Sequence, residues 1–581
     1  MIKGIGASVG IAIGKAIVLP NWEWNVPDKL VDVADLAYEF EKLYEGIQIS
    51  KVELETIKED ISELIGEEES NIFNAHLAIL EDPVFMNEVQ AIMQRQYKAA
   101  EVAVKETIDK FVGMFDLLDD EYMKERAADI RDVGNRLLKH LLGGFQDTLP
   151  DQDDPYVLVA KELTPSQWTH LDPSKILGIV TIMGGMNSHA AIMARAIGIP
   201  FVLGLDGKLK RPIQTGDLII LDGEEGTVFV NPDEETIAHY RERKEIIQKH
   251  MERLEQLIDV QAITQDGKPI ELKANISSVK ELEQALKTGA RGVGLFRTEF
   301  LYMDRNSLPP EEEQFEVYRQ VAEMLHGEPL VIRTLDAGGD KNIHYIDLPQ
   351  EVNPFLGYRA IRISLDRQEL FKTQLRAILR ASHYGHVKIM YPFISSVKEF
   401  KDANQLLEEV KKELREEGQP FDEQIEVGIM IEVPAAALTA DLLAKEADFF
   451  SIGTNDLVQY LLAVDRMNEH IAHLYDPYHP AVLRLLRQTI EAAQQQGIPV
   501  SVCGEMAGDP KVLPIWLALG IEELSMSVKT LLPLKERLLQ SSIEQSGRVF
   551  EQIMQCTDSD QIRNILDQCY NGKERYGPIT N

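Results

Sequence analysis

The sequence predicts a multidomain α/β protein in which an α/β domain, interrupted by a helical bundle, precedes a C-terminal (β/α)8 TIM barrel. Three observations predict it. Short apolar runs bounded by Gly, Pro and Asp give way between residues 34 and 144 to Glu/Lys/Leu-rich stretches of helical periodicity, and then return. A highly charged stretch follows at 233–258. Beyond about Val260, eight apolar runs alternate with helical patterns, the rhythm of a closed parallel barrel. At 581 residues the chain exceeds what one core ordinarily holds, so two to four domains are expected.

Taken in order, GIGASVGIAIGKAIVL alternates small and β-branched residues and predicts one or two short strands. From 34 to 144 Pro83 is the sole proline, with breaks near Gly66 and at Glu81-Asp82-Pro83, which describes a helical hairpin or bundle. Its blocks EEES, LEDP and LDDEY make an acidic surface. The runs VLVA, ILGIVTIM, PFVLGL, DLIILD and GTVFV between Tyr156 and Asn231 predict a compact strand-rich domain with one helix after His189. Residues 233–258 form a charged helix of the kind that connects domains. The barrel strands are expected at 270–276, 292–300, 330–337, 387–393, 427–434, 448–456, 499–506 and 523–527. An open doubly wound sheet is the structural rival for that half. The domains are therefore 1–33 with 145–232, the insert 34–144, the linker helix 233–259, and the barrel 260–581.

Bulk composition narrows the class. With 44% hydrophobic and 27% charged residues the chain is globular. Its formal charge of −35, from 95 acidic against 60 basic residues, argues against nucleic acid and anionic membranes and favours a partner with a basic face. Cys503, Cys556 and Cys569 are too scattered for a disulfide framework, which suits a reducing compartment. Glycines and Lys15 interrupt the N-terminal apolar stretch, leaving no signal sequence or membrane span, so a cytoplasmic protein is expected.

In a (β/α)8 barrel the carboxyl ends of the strands converge on one mouth. Here those ends carry Arg297, Thr298 and Glu299, then Arg333 and Asp336, then Glu432, Asn455, Asp456, Cys503 and Glu505, with Arg359 and Arg466 in following segments. Guanidinium forks match phosphate and carboxylate oxygens, so the arginines point to a small ligand bearing both anions. Glu432 and Asp456 supply the carboxylates a hard divalent cation takes alongside substrate phosphate, magnesium being the natural candidate. Cys503 is either an apolar packing residue or, above such a site, a group exchanging a proton with substrate carbon. Elsewhere, MGGMNSHAAIMARAIGIP places Gly184 and Gly185 in a tight loop, Asn187 or Ser188 as a helix cap, and His189 in the first helical turn. There the helix macrodipole disfavours imidazolium and favours an added dianion, which suits a neutral nucleophilic nitrogen.

The segments GGMNSHAAIMAR, GVGLFRTEFLYMDR, NPFLGYRAIR, FFSIGTNDLVQY and VCGEMAGD together resemble enzyme I of the bacterial sugar phosphotransferase system, in order and across essentially the whole chain. The resemblance implies a swivelling phosphohistidine α/β domain, phosphoenolpyruvate as donor, a histidine-containing phosphocarrier protein as acceptor, and a homodimer formed through the barrel. It implies that His189 is phosphorylated and Cys503 protonates the enolate carbon as pyruvate forms. Arg297, Arg333, Arg359, Asn455, Asp456 and Arg466 match substrate-binding positions, and Glu432 and Asp456 match Mg2+ ligands. The helical insert matches the phosphocarrier-docking part, with Glu67, Glu68, His76 and Asp82 as docking residues and Arg126 near the phosphohistidine. The sequence departs from the family pattern at Met186, Asn187, Ala190 and Trp168, where an arginine and hydroxyl residues are usual, and this bears on the acidity and orientation of His189. Two other readings use the same parts: a nucleotide-linked dikinase, for which no ATP-binding motif is present, and a regulatory paralogue with a different carrier.

Overall fold

The computed structural model describes residues 1–570 apart from 20–25, 66–71, 117–120, 144–153, 169–170, 187, 210, 304, 306, 339–342, 344, 347, 350 and 469; for helical residues 59–65, 72, 116, 121–126, 165–166, 189 and 196 it describes the backbone alone. Glu67, Glu68 and Asn187 thus lie outside the described residues, as do the side chains of Arg126 and His189. Contacts divide the chain into two compact units, Met1–Gln248 and Lys249 onward.

The first unit is built on an eight-stranded sheet. The glycine-punctuated N-terminus yields three strands rather than one or two: β1 (Ile2–Lys3), β2 (Ile5–Ser8) and β3 (Ile11–Val18). After the insert come β4 (Tyr156–Ala160), β5 (Ile176–Thr181), β6 (Phe201–Leu203), β7 (Leu218–Asp222) and β8 (Thr227–Val230). The order is β1-β8-β7-β3-β4-β5-β6-β2, with β3 to β6 parallel and the remaining pairs antiparallel. Parallel neighbours β3 and β4 need a long crossover, and the whole helical insert fills it.

That insert contains α1 (Leu36–Ile65), α2 (Ile72–Glu81), α3 (Pro83–Gln96), α4 (Ala100–Asp116) and α5 (Glu121–Leu141). Asp82 divides α2 from α3: its carboxylate accepts from the Val84 amide at 2.7 Å, and Pro83 occupies the first helical position, where a missing N–H costs nothing. Leu43, Val89, Ala103, Leu137 and Leu138 pack the bundle core. The later helix α6 (His189–Ile197) closes on Gly198 in the left-handed conformation. The charged helix α7 spans Glu234–Glu255. Its first half is held by Tyr240 against Phe229 and by Arg243 on Asp222 at 2.6 Å, and its second half by Arg253 on Glu536 at 2.6 Å.

The second unit is the expected closed barrel. All eight runs become parallel strands: β9 (Glu271–Ile276), β10 (Val293–Phe296), β11 (Leu330–Arg333), β12 (Val387–Tyr391), β13 (Val427–Ile431), β14 (Phe449–Ile452), β15 (Val500–Val502) and β16 (Glu523–Met526). Strand β16 pairs with β9 in parallel to close the ring, which excludes the open sheet. Leu295, Val331, Met390, Met430 and Phe449 fill the barrel interior, with Cys503 joining them. Local sequence fixes the helices between strands. Ser396 and Glu399 form a reciprocal capping box at the start of the helix Val397–Glu417, and Pro434 opens the short helix after β13. No described helix is long and apolar enough to cross a membrane.

Candidate active site

Because parallel strands all point one way, every barrel residue singled out from the sequence emerges at the same end. Arg297 follows β10, Arg333 ends β11, Glu432 follows β13 and Cys503 follows β15. Asn455 and Asp456 occupy the first turn of α8 (Thr454–Leu462), the helix after β14.

These residues form one continuous polar chain. Arg333 pairs with Glu299 and, at 3.0 Å, with Asp336. Asp336 accepts from Arg359 at 2.9 Å, and the same guanidinium reaches Asp456 at 3.3 Å. Arg466 lies 3.7 Å from Asp456 and 4.0 Å from Glu505. The Asn455 side-chain amide donates to Glu505 at 2.8 Å, and the Glu505 backbone N–H donates back to Asn455 Oδ1 at 2.9 Å. Arg297 is exposed beside this chain, whereas Arg333, Arg359, Glu432 and Asp456 are buried.

Burial sets the electrostatics. It opposes the charge on Arg333 and Arg359, but Glu299, Asp336, Asp456 and Glu432 around them more than offset that cost, and both stay cationic with pKa values above the usual arginine range. Glu432 has the opposite fate. Burial first, then repulsion from Asp456 and Asp336, pushes its carboxyl up to about 8 despite Arg333 and Arg359 nearby. A carboxyl held protonated by neighbouring carboxylates is a place where a dication can replace the proton, so the donor set fits a hard divalent cation. Among the described residues no cluster of three or more His, Cys, Asp or Glu forms a ready-made cage.

Cys503 is 3% exposed. Burial first, with Glu432 adding to it, pushes its thiol up to about 11, so it is fully protonated at neutral pH. Its Sγ lies 3.6 Å from the Ile452 carbonyl, and its own carbonyl accepts from Asn275 Nδ2 at 2.9 Å. Asn275 is in turn fixed by Ser525, whose Oγ donates to Asn275 Oδ1 at 2.6 Å. The cysteine is thus a buried, protonated thiol packed in the barrel interior, close enough to Glu432, Arg333 and Arg297 to feel their charge.

In the first unit, Ser188 is the residue before α6, and its side chain makes no capping bond. His189 is the first helical residue, and Gly184 at φ +115 allows the preceding turn. Arg195 secures this turn, donating to the Met186 carbonyl at 3.1 Å and the Ala7 carbonyl at 3.2 Å. Where the resemblance expects hydroxyls, Ala190 and Trp168 are buried in one apolar cluster, and Met186 is exposed.

One expected docking residue requires correction. His76 is 0% exposed, its Nε2 3.3 Å from Asp129 and its Nδ1 3.8 Å from Asp132, with Phe73 edge-on at 5.7 Å. No atom of it reaches the surface, so it supports the bundle from within. Asp82 does lie on the surface, as a helix cap.

Two residues of the barrel mouth escaped the sequence reading. Tyr460 accepts from Arg359 at 2.9 Å and donates to the Phe355 carbonyl at 2.5 Å. Phe393 donates its backbone N–H to Glu432 at 2.7 Å. The available signal was position: Phe393 closes the fourth apolar run, where a strand end meets the mouth.

Known proteins resemble the chain over nearly its whole length. Three family models match: the PEP-binding domain of PEP-utilising enzymes over residues 251–543, their N-terminal domain over 3–126, and their mobile domain over 152–226. A phosphoenolpyruvate-protein phosphotransferase of Geobacillus stearothermophilus is 45% identical over 573 residues, covering 98% of each chain. One of Bacillus subtilis (strain 168) is 45% identical over 569 residues, covering 98% of this chain and 99% of that one. A third, of Staphylococcus carnosus, is 43% identical over 98% of both chains.

Proposed function

Since the chain belongs to the phosphoenolpyruvate-protein phosphotransferase family, we propose that it takes the phosphoryl group of phosphoenolpyruvate onto His189 and passes it to a histidine-containing phosphocarrier protein, the opening step of sugar uptake. The observation that carries this reading is the unbroken ion-pair chain running from Glu299 through Arg333, Asp336, Arg359 and Asp456 to Arg466 beside a protonated thiol. Few small molecules other than one with a phosphate, a carboxylate and a carbon awaiting a proton would use all of it.

Arg297, Arg333, Arg359, Arg466 and Asn455 bind and orient the two anionic groups of the substrate. Glu432 and Asp456 would hold magnesium, which when bound would supply positive charge to the anionic substrate. The lone pair of the neutral His189 imidazole attacks phosphorus; the P–N bond forms as the bond to the enol oxygen breaks, and the enolate leaves with that electron pair. Such in-line transfer is mostly positioning and electrostatics. The Cys503 thiol then gives its proton to the methylene carbon of the enolate, yielding pyruvate and a thiolate that solvent reprotonates. Phosphohistidine next surrenders its group to the carrier, which docks on the acidic helical insert through Asp82, Glu67 and Glu68, with Arg126 near the histidine.

Residues 1–33 with 145–232 act as the moving phosphohistidine domain, 34–144 as the docking insert, 233–259 as the linker and 260–581 as the barrel, which pairs into a cytoplasmic homodimer. The test is labelling with phosphoenolpyruvate carrying 32P and magnesium. The expected product is an acid-labile, base-stable label on the chain, lost in His189→Gln and transferable to a purified carrier, with pyruvate released. A label that needs ATP, or no pyruvate at all, refutes the reading.

A further inference from the structure

Beyond β12 the chain turns sharply at Pro392-Phe393, and Phe393 adopts φ +60. For a bulky residue that left-handed conformation is costly, and it persists only where surroundings impose it. Tyr97 and Ala463 also have positive φ, but they terminate helices, where a left-handed residue is usual. Phe393 ends no helix. What its conformation gains is two contacts on the barrel mouth.

Its backbone N–H donates to Glu432 Oε1 at 2.7 Å, a bond to a buried carboxyl. Its ring carries the Arg359 guanidinium at 4.7 Å from the centroid and that of Arg362 at 4.9 Å. Tyr460 meets the same ring at 5.7 Å with planes 68° apart. Ala360, directly after Arg359, is also at positive φ, 50, so both partners of the stack stand on unusual backbone. The bonds of Arg359 to Tyr460, Asp336 and Asp456 fix its direction in the plane. Aromatic faces oppose tilting out of it: that of Phe393, the nearer, and that of Phe355 at 5.9 Å.

We propose that Phe393 is a positioning residue for phosphoryl transfer: its ring holds the Arg359 guanidinium and its amide holds the Glu432 carboxyl group, so the anion-binding and cation-binding halves of the mouth are set by one side chain and its own peptide. Arg362 extends the bracket, donating to the Leu356 and Gly357 carbonyls at 3.2 and 2.9 Å and so joining the 354–357 turn to the same ring. This rests on the reading of the barrel mouth as the phosphoenolpyruvate site.

The test uses the full chain with Phe393→Leu and with mono-, di- and tetrafluorinated phenylalanine placed at 393. Fluorination keeps shape while draining the ring face of negative charge, a change that a merely structural ring would not feel. The expected result is a KM for phosphoenolpyruvate that climbs with each fluorine and rises about tenfold in Phe393→Leu, with kcat within about threefold and Tm nearly unchanged. Mn(II) affinity without substrate, read by electron paramagnetic resonance, should stay near wild type in every variant because the amide to Glu432 remains. A KM flat across the fluorinated series overturns the proposal, and so does Mn(II) affinity falling in parallel with KM, which would signal collapse of the mouth. Wild-type labelling from phosphoenolpyruvate separates the two levels: with the label present a flat series sinks this proposal alone, and without it the underlying reading falls and takes this one with it.

Discussion

Gly504, between Cys503 and Glu505, is a single atom away from disrupting the barrel mouth. Its φ of −78 is open to any residue, so the constraint is space rather than conformation. A Cβ built there falls 1.9 Å from the Thr454 hydroxyl oxygen, 2.6 Å from the Thr454 backbone nitrogen and 2.9 Å from its Cβ. The hydroxyl can rotate away, but the nitrogen belongs to the first residue of α8. Restoring an ordinary 3.4 Å contact to that nitrogen requires a shift of about 0.8 Å. The residues so displaced include Asn455 and Asp456. Overpacking of this kind costs about 2 kcal/mol, which for a domain of barrel size lowers Tm by roughly 2–4 °C. A displacement near 1 Å in a positioning group costs on the order of a hundredfold in rate. Gly504→Ala is therefore expected to fold, melt a few degrees early, and lose about two orders of magnitude in pyruvate formation. Gly547→Ala, where an added Cβ meets nothing within 4 Å, is the matched control and keeps full turnover. If Gly504→Ala turns over at the wild-type rate, α8 is not what fixes Asn455 and Asp456, and the reasoning fails.

Two further outcomes follow from the same geometry. With the Cys503 thiol pushed up to about 11, inactivation by iodoacetamide should be slow at pH 8 and accelerate only as pH climbs toward that value, following the thiolate fraction; a rate that plateaus near pH 8 refutes the buried-acid assignment. The sign for stability is the same, since a thiol whose pKa is raised by folding favours the native state below its unfolded value and loses that contribution as pH rises through 11. His76→Leu should destabilise the helical insert by about 3 kcal/mol, because it removes the imidazole from between buried Asp129 and Asp132; calorimetry that finds an unchanged first-unit transition would return His76 to a surface role.

The barrel was legible because parallel strands are covered on both faces and so read as unbroken apolar runs such as VGIMI and FFSI. The polar residues that ended those runs then had to converge, and Arg333, Glu432, Asp456 and Cys503 do. Phe393 was not legible, since an aromatic at the end of an apolar run looks like core until the positive φ and the guanidinium over its ring are seen. His76 was misread as a docking residue although its helical register spoke against it: Phe73, His76 and Leu80 fall on one face at i, i+3 and i+7, and that face is buried. The three-strand N-terminus was underestimated because β1 and β2 pair with β8 and β6, about two hundred residues away, and no local pattern carries that information.

The cost of the barrel mouth is itself an argument for its role. Even with the two guanidinium charges stabilised by their carboxylate partners, well-packed apolar residues in place of Arg333, Arg359, Asp336 and Asp456 would make a barrel about as stable, because each of the four must be taken out of water. Glu432, driven toward its protonated form by burial and by Asp456 and Asp336, adds to the expense. A scaffold has no reason to carry such a centre. A catalyst does, because charges already fixed in a dry pocket need no reorganisation when a phosphate and an enolate must be stabilised together. The stability surrendered to hold these groups in place is the part of the free energy that phosphoryl transfer later recovers as rate.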